Sequence, residues 1–357
     1  MDKPKIILAM PSHSNFAEAI IKNLNYHNFD VVFIDSSYHD TTKINISFKN
    51  YCQHLIYKFF LWNSSYKNTL KTKLKNQKIL EHTKRKLSNE GYDYMLSIRP
   101  DLFPSEVLTL LKQNTKNKSI GYQWNGLNRF PDTLELIPLF DNFFVFDHHD
   151  LHDPEYKKYC LKGITNFYFD MYQPQPVKHN GIIAYFVGLH FDERVNTINI
   201  CIDALIKKNI NLDFNIKFRK SNKDCKYKYP NKQINFLEKN INFDENIQHI
   251  NQADILIDVV NPIHHGLSFR TFEALYYQKK LITNNLLVRH YDFYHPNNIL
   301  VWDGLDLSEL SDFLAKPWIA IDAKIIQKYS FDNWIKNILS LQTDSIITLP
   351  DPSIMLP

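Results

Sequence analysis

An α/β fold in two parallel-sheet domains is what this sequence predicts, and three observations carry it. A chain of 357 residues exceeds what one hydrophobic core usually serves, so two domains are expected. Short, largely apolar runs recur at residues 5–10, 94–98, 182–187 and 255–260, each running into a polar loop; the last is β-branched, of the kind buried on both faces of a parallel sheet. A proline-bearing stretch, Gln173-Pro174-Gln175-Pro176-Val177, divides the series, because proline stiffens a chain and stops helices. The expected domains are residues 1–175 and 176–320, with 321–357 a terminal helix and tail.

The most legible unit spans residues 253–285. Residues 255–260 read as a strand; Asn261 and Pro262 stop it, and Gly266 supplies a flexible backbone. From Ser268, a candidate N-cap, Phe269, Phe272 and Tyr276 recur at helical spacing, and residues 280–283 read as the next strand. The loop and helix start therefore lie beyond the carboxyl end of a strand, where open α/β sheets bind ligands. Free amides and the positive end of the helix dipole attract phosphate there, and a glycine lets the backbone come close to it. Arg270 and Glu273 share one helix face, so a guanidinium can grip phosphate oxygens while a carboxylate one turn deeper accepts both hydroxyls of a ribose. An ordinary surface ion pair on a crossover helix fits the same spacing.

Gly266-Leu267, then Glu273-Ala274-Leu275 and Lys280-Leu281-Ile282-Thr283, resemble the nucleotide-sugar loop and helix of GT-B glycosyltransferases. The fuller string GLSFRTFEALYYQKKLITNN, with DFYHPNNI after it, is similar to bacterial lipopolysaccharide and capsule glycosyltransferases. The resemblance implies a GT-B fold, two Rossmann-like domains whose parallel sheets face a central cleft, with Glu273 as the carboxylate on the donor ribose. It also implies a metal-independent reaction and a terminal helix that crosses back to the first domain. Donor contacts expected in this unit are His265, Gly266, Leu267, Ser268, Arg270, Thr271 and Glu273. A glycine and a basic residue after the strand at 182–187 commonly face the donor phosphates in such proteins, which here means Gly188 and Arg194.

Composition sets the outer bounds. A hydrophobic share of 44% with 14% aromatic residues is ample for packed cores and excludes a disordered chain. The four cysteines, Cys52, Cys160, Cys201 and Cys225, form no CxxC pair, so neither a zinc site nor a disulfide framework is indicated, in keeping with a reducing cytoplasm. The opening apolar run is too short for a signal peptide, and no later segment approaches a membrane span, so a soluble, cytoplasmic protein is expected. A net charge of +4 does not argue for nucleic acid, and no partner of that kind is expected.

Taken in order, residues 5–10 open a Rossmann-like unit, Pro11-Ser12-His13-Ser14-Asn15 is its loop, residues 16–24 its helix and 29–35 its second strand. The loop lacks GxGxxG, so no dinucleotide cofactor is expected. His13 sits where an acceptor or catalytic group would stand; a turn histidine without a role is the alternative. Residues 51–87 are helical in pattern, with Phe59, Phe60 and Trp62 followed by Lys67, Lys71, Lys73, Lys75, Lys78, Lys84, Arg85 and Lys86 and only Glu81 against them. Such a segment can rest on anionic lipid headgroups, or simply be a solvated helix face.

Strands at 94–98, 120–124 and 143–146 end in Arg99-Pro100-Asp101, Asn125-Gly126 and Asp147-His148-His149-Asp150. Asp101 joins His13 as a candidate for acceptor activation, although an Asp after Pro is also a good turn residue. The Asp147 to Asp150 cluster is not expected to bind metal, since neighbouring side chains diverge and the histidines lack a helix-spaced partner. In the second half, residues 195–207 form a helix and 211–218 a strand that ends in Lys217 and Arg219, further phosphate contacts or an exposed basic strand end. Residues 297–302 read as the last strand and 318–341 as largely helical.

The expected function is transfer of a sugar from a nucleotide-sugar donor, which is a substrate and not a cofactor, to a bacterial surface saccharide or lipid-linked saccharide. A nucleotide-sugar epimerase and a noncatalytic nucleotide-sugar-binding protein are the alternatives. The protein is expected in the cytoplasm, with weak attachment to the inner face of the membrane.

Overall fold

The computed structural model describes residues 3–12, 16–38, 66–175, 177–260 and 265–351. His13, Phe59, Phe60, Trp62, Pro176, Asn261 and Pro262 lie outside them, so the expectations placed on those residues are not addressed by the structure.

Among the described residues two six-stranded sheets form. The first contains β1 (Lys5–Met10), β2 (Asp30–Asp35), β3 (Tyr92–Ile98), β4 (Thr115–Gln123), β5 (Asn142–Val145) and β6 (Lys162–Gly163), in the order β2-β1-β3-β4-β5-β6. The second contains β7 (Ile183–Leu189), β8 (Asn211–Lys217), β9 (Ile234–Leu237), β10 (Ile255–Asp258), β11 (Lys280–Thr283) and β12 (Ile299–Val301), in the order β12-β11-β10-β7-β8-β9. Its pairings are parallel throughout. The expected class, α/β with two Rossmann-like parallel sheets, is the one observed. By compactness the chain divides into residues 1–123 with 130–143, and residues 124–129 with 144–357.

In the second sheet the chain moves outward from β7 through β8 to β9, then returns to lay β10 on the other side of β7. The order therefore reverses between β7 and β10, which makes their carboxyl ends the switch point at which doubly wound sheets bind ligands. The two faces of this sheet differ in chemistry because strand side chains alternate. One face carries Ala184, Phe186, Phe214, Ile216, Ile255 and Ile257 into a core closed by Ile198, Cys201, Ile202 and Leu205 of the Val195–Ile206 helix. The other face carries Tyr185, Asp213 and Asn215; of these, Tyr185 meets Asn246 and Asp213 meets His249, both on the Phe243–Gln252 helix. Burying them demands partners, and those partners make the site described below.

The helical pattern of residues 318–341 resolves differently from expectation. Ala323–Lys328 and Phe331–Leu339 are separate helices, broken at Tyr329 and Ser330. Tyr168 N–H donates to the Tyr329 carbonyl (3.1 Å) and Phe331 N–H to the Tyr168 carbonyl (2.9 Å), a bridge that draws these residues out of helical geometry. The Ser330 side chain then caps the second helix by accepting from Asn333 N–H at 3.1 Å. Phe331, Trp334, Ile335 and Ile338 are all fully buried, as their spacing requires, and Trp334 Nε1 donates to the Thr165 carbonyl at 2.9 Å.

Candidate functional site

The strand and the helix of this unit form, β10 buried and ending at Asp258, two residues earlier than expected, and the helix Phe269–Tyr276 with Ser268 at its N-cap position. Ser268 has the extended backbone of a cap (φ −71°, ψ 162°) but its hydroxyl makes no cap hydrogen bond. The first amides of a helix have no acceptor within it, and the Ser268 hydroxyl supplies none here. The carbonyls of the same loop are tied back. Asn285 Nδ2 donates to the Gly266 carbonyl at 3.3 Å, and Asn166 Nδ2 donates to that of Leu267 at 2.9 Å. With two of its carbonyls tied back and no side-chain cap on the helix, the segment presents the positive end of the helix dipole.

Gly266 is required for a reason other than flexibility. Its φ is not in the left-handed region; instead a Cβ there would stand 2.4 Å from Phe146 Cδ2 and 2.6 Å from the Phe146 carbonyl oxygen. The same contact is reinforced by Asp147, whose Oδ2 accepts from His265 N–H at 3.1 Å while Oδ1 accepts from His149 N–H at 3.0 Å. A single buried carboxylate thus joins the loop to the short helix His148–His152.

Arg270 and Glu273 do pair, with Nη1 2.8 Å from Oε2, and their side chains are only 11% and 7% exposed. This is no ordinary surface pair. Glu273 Oε1 also accepts from Asn246 Nδ2 at 3.1 Å, and Asn246 Oδ1 accepts from the Tyr185 hydroxyl at 2.9 Å. The guanidinium of Arg270 lies over the Tyr185 ring, 4.9 Å from its centroid, and His249 stacks on the same ring at 5.1 Å with an interplanar angle of 5°. His249 Nδ1 is 2.5 Å from Asp213 Oδ2, a contact that raises the imidazole pKa by favouring its charged form. Thr271, in the same helix, is buried with a hydroxyl that has no partner. Leu267 is buried, while His265 is exposed.

Of the other expected donor contacts, Gly188 and Arg194 lie at the switch point. Arg194 is mostly enclosed and spans it, with Nη1 donating to the Val259 carbonyl at 3.0 Å and Nη2 to the Leu189 carbonyl. Gly188 lies beneath this guanidinium, since a Cβ there would meet Phe186 Cζ at 3.0 Å and Arg194 Nη2 at 3.4 Å. Arg194 therefore staples the ends of β7 and β10, and its Nε remains a donor without a partner. Lys217, at the end of β8, donates to Asn240 Oδ1 at 2.5 Å, and Arg219 is exposed two residues beyond. Asp258 closes β10; burial raises its pKa, partly offset by Ser268, Arg270 and Thr283, whose hydroxyl donates to it at 3.2 Å.

No protein-family model matches the chain, and no curated protein sequence matches it. Solved structures do. An α-glucosyltransferase in complex with UDP and a 13-mer DNA containing an HMU base aligns over 99% of this chain and 97% of its own, at 12% identity and a TM-score of 0.55. A glycosyltransferase from Rickettsia africae ESF-5 aligns over 95% of this chain and 98% of its own, at 13% identity and a TM-score of 0.52. A putative UDP-N-acetylglucosamine 2-epimerase from Listeria monocytogenes aligns over 97% and 99%, at 9% identity and a TM-score of 0.50. At such identities the likeness is one of fold, and it extends over nearly the whole chain. The fold is GT-B.

Within this GT-B chain the structure adds a cluster that the sequence concealed. The His148 and His149 rings lie 4.1 Å apart and the His149 and His265 rings 4.2 Å apart. The expectation that the two adjacent histidines diverge is therefore wrong: both sit at a helix start, and their further partner comes from the ligand loop, far along the chain. Burial pushes His148 down to about 4, with the neighbouring His149 adding to the effect. Asp150, also buried, is pushed up to about 7 while accepting from Leu127 N–H at 2.9 Å. Among the described residues no three His, Cys, Asp or Glu side chains form a group able to hold a metal ion.

Asp101 is found in a different setting. Its oxygens take Arg99 Nε at 2.8 Å and Nη2 at 2.6 Å, Gln123 Nε2 adds a third bond at 2.8 Å, and the Arg99 guanidinium lies 4.0 Å from the Phe130 ring centroid. Arg99 adopts a left-handed backbone (φ 60°) to make this clamp. Three of its roughly four acceptor positions are therefore taken, two by Arg99 and one by Gln123.

Proposed function

We propose that this protein is a glycosyltransferase that binds a nucleotide-sugar donor over residues 265–273 and transfers the sugar to a bacterial surface saccharide or lipid-linked saccharide. The observation that carries it is Glu273, an enclosed carboxylate fixed by Arg270 and Asn246 one turn below the uncapped start of its helix. That depth suits a phosphate on the helix amides and a ribose on the carboxylate. The GT-B neighbours support the donor class, since one is described in complex with UDP. Donor phosphates are assigned to the amides of Gly266 to Arg270, with Lys217, Arg219 and the spare Arg194 Nε as cationic support. These groups stabilise the departing nucleotide electrostatically, so the reaction is expected to run without a metal. Acceptor activation is assigned to His13 or Asp101.

The test is a thermal-shift panel of nucleoside mono- and diphosphates followed by transfer from the best-matched sugar donor, with and without EDTA. A ligand at a hundred times its dissociation constant stabilises by about 2.7 kcal/mol, which is readily detected. Binding of a diphosphate and transfer that persists in EDTA are expected; loss in EDTA with recovery in a divalent ion refutes metal independence. An epimerase remains the second reading because a GT-B neighbour carries that description. Release of an isomerised sugar in the absence of any acceptor would establish it.

A peripheral membrane location is part of the same proposal. The Tyr66–Lys86 helix exposes Lys71, Lys73, Lys84, Arg85 and Lys86, and its one acid, Glu81, is engaged by Gln77 at 2.9 Å. Each such cation contributes about 1 kcal/mol beside an anionic surface, over a Debye length of about 8 Å. Changing Lys71, Lys73, Lys75 and Lys78 to Glu is expected to abolish cosedimentation with phosphatidylserine-rich vesicles while sparing transfer to a soluble acceptor. Failure of the unmodified protein to sediment with them at low salt removes the membrane from the proposal.

A further inference from the structure

Glu273 can accept two ribose hydroxyls only if its carboxylate plane is fixed, and the group that fixes it is not on its own helix. A carboxylate has roughly four acceptor positions on its two oxygens. Arg270 faces Oε2 and Asn246 donates to Oε1, so each oxygen keeps one position for a ligand. The last torsion of a glutamate is broad, and one cation does not define it, least of all here, where Arg270 Nη1 has no acceptor in line despite its closeness to Oε2. The directional bond is the one from Asn246.

Asn246 is itself held in one orientation. It stands in the first turn of the Phe243–Gln252 helix, whose start is fixed by the Asn242 side chain accepting from Glu245 N–H at 2.8 Å. Its amide could in principle be reversed, but Glu273 can only accept and Arg270, 3.5 Å away on the other side, can only donate. Nδ2 therefore faces Glu273 and Oδ1 faces Arg270 and Tyr185. The Tyr185 ring is fully buried between Arg270 and His249, and burial raises its pKa, so its hydroxyl is a proton-bearing donor to Oδ1 at 2.9 Å. Tyr185, on β7, is thus a post in the sheet that sets Asn246, and Asn246 sets Glu273.

We propose that Asn246 is a positioning residue that orients Glu273 toward a vicinal diol and so makes the site select ribonucleotides over 2′-deoxyribonucleotides. This rests on the assignment of the donor ribose to Glu273. Without the Asn246 bond the carboxylate swivels and meets one hydroxyl at a time instead of holding both. A ligand that lacks the 2′-hydroxyl makes one such contact with or without Asn246 and therefore binds as before.

The experiment measures dissociation constants of UDP, ADP and GDP and their 2′-deoxy counterparts for the full chain, for Asn246→Ala and for Tyr185→Phe. Wild type is expected to prefer the ribo form of its best pair by about tenfold or more, the scale of one hydrogen bond to a charged group. Asn246→Ala is expected to bring that ratio below about threefold while the 2′-deoxy ligand binds as before. Tyr185→Phe, which keeps the ring and its stacking, is expected to give an intermediate ratio and guards against a fold defect in the first variant. A merely structural role for Asn246 weakens both ligands alike and leaves the ratio unchanged; that result overturns the proposal while leaving the ribose on Glu273. A wild-type protein that binds neither form, or both equally, overturns the ribose assignment and this proposal together.

Discussion

A Glu273→Ala variant is expected to bind nucleoside diphosphates about ten- to a hundredfold more weakly than wild type, the effect of losing contacts on the order of 1.5–3 kcal/mol. The side chain is only 7% exposed, so its contacts to a ligand are made largely out of bulk water, where a charged acceptor counts for most. The same change leaves Arg270 without its carboxylate at 11% exposure. Stranding one member of a buried pair costs about 3–5 kcal/mol when burial is complete, and somewhat less here, so folding has to be followed alongside affinity. Glu273→Gln separates the two effects, because it keeps the shape of the side chain and an acceptor oxygen while removing the charge. Calorimetric titration of both variants, with unfolding midpoints from circular dichroism, reads the result. Unchanged affinity in a folded Glu273→Ala protein would falsify the ribose assignment.

Which parts of this site could be read in the sequence follows from how local their causes are. The strand Lys280–Thr283 and the helix Val195–Ile206 were legible because a buried run and a helical stripe are imposed by the element itself. Arg270 and Glu273 were legible as a pair because helix geometry alone brings them together. Their enclosure was not, since it depends on Asn246 and Tyr185 from two other elements, and an asparagine in a first helical turn carries no signal of its partner. The His149–His265 contact is hidden in the same way; the Asp147–His265 bond beside it links residues 118 apart in the chain. The helix expected over residues 318–341 failed for a related reason, because its break at Tyr329 is made by Tyr168 and not by any proline or glycine nearby.

The likeness to known folds has the opposite character: it is global and says little about chemistry. A glucosyltransferase and an epimerase are described on the same GT-B frame at similar identity, so the frame does not choose between transfer and isomerisation. The choice lies in whether the site holds an acceptor, and that is why the acceptor-free assay separates the two readings. The proposed nucleotide rests on the helix start without a side-chain cap and on the fixed carboxylate.

Gly266→Ala is the second substitution with a large expected effect. A methyl group at this position would stand 2.4 and 2.6 Å from Phe146 ring carbons and 2.6 Å from the Phe146 carbonyl oxygen. The ring could rotate, but the carbonyl belongs to the backbone just beyond β5, so the ligand loop must move instead. Movement loads three bonds at once: Asp147 to His265 N–H, Asn285 to the Gly266 carbonyl and Asn166 to the Leu267 carbonyl. Overpacking of this kind costs about 1–3 kcal/mol, and in a domain of this size each kcal/mol lowers the unfolding midpoint by about 2–4 °C. Nucleotide affinity is expected to fall at least about tenfold as well, because the amides at the helix start leave the positions proposed for phosphate binding. Thermal unfolding and nucleotide titration of one preparation test both parts. A Gly266→Ala protein with the wild-type midpoint and affinity shows that the loop tolerates displacement from Phe146, and the anchored-loop account of the site then fails.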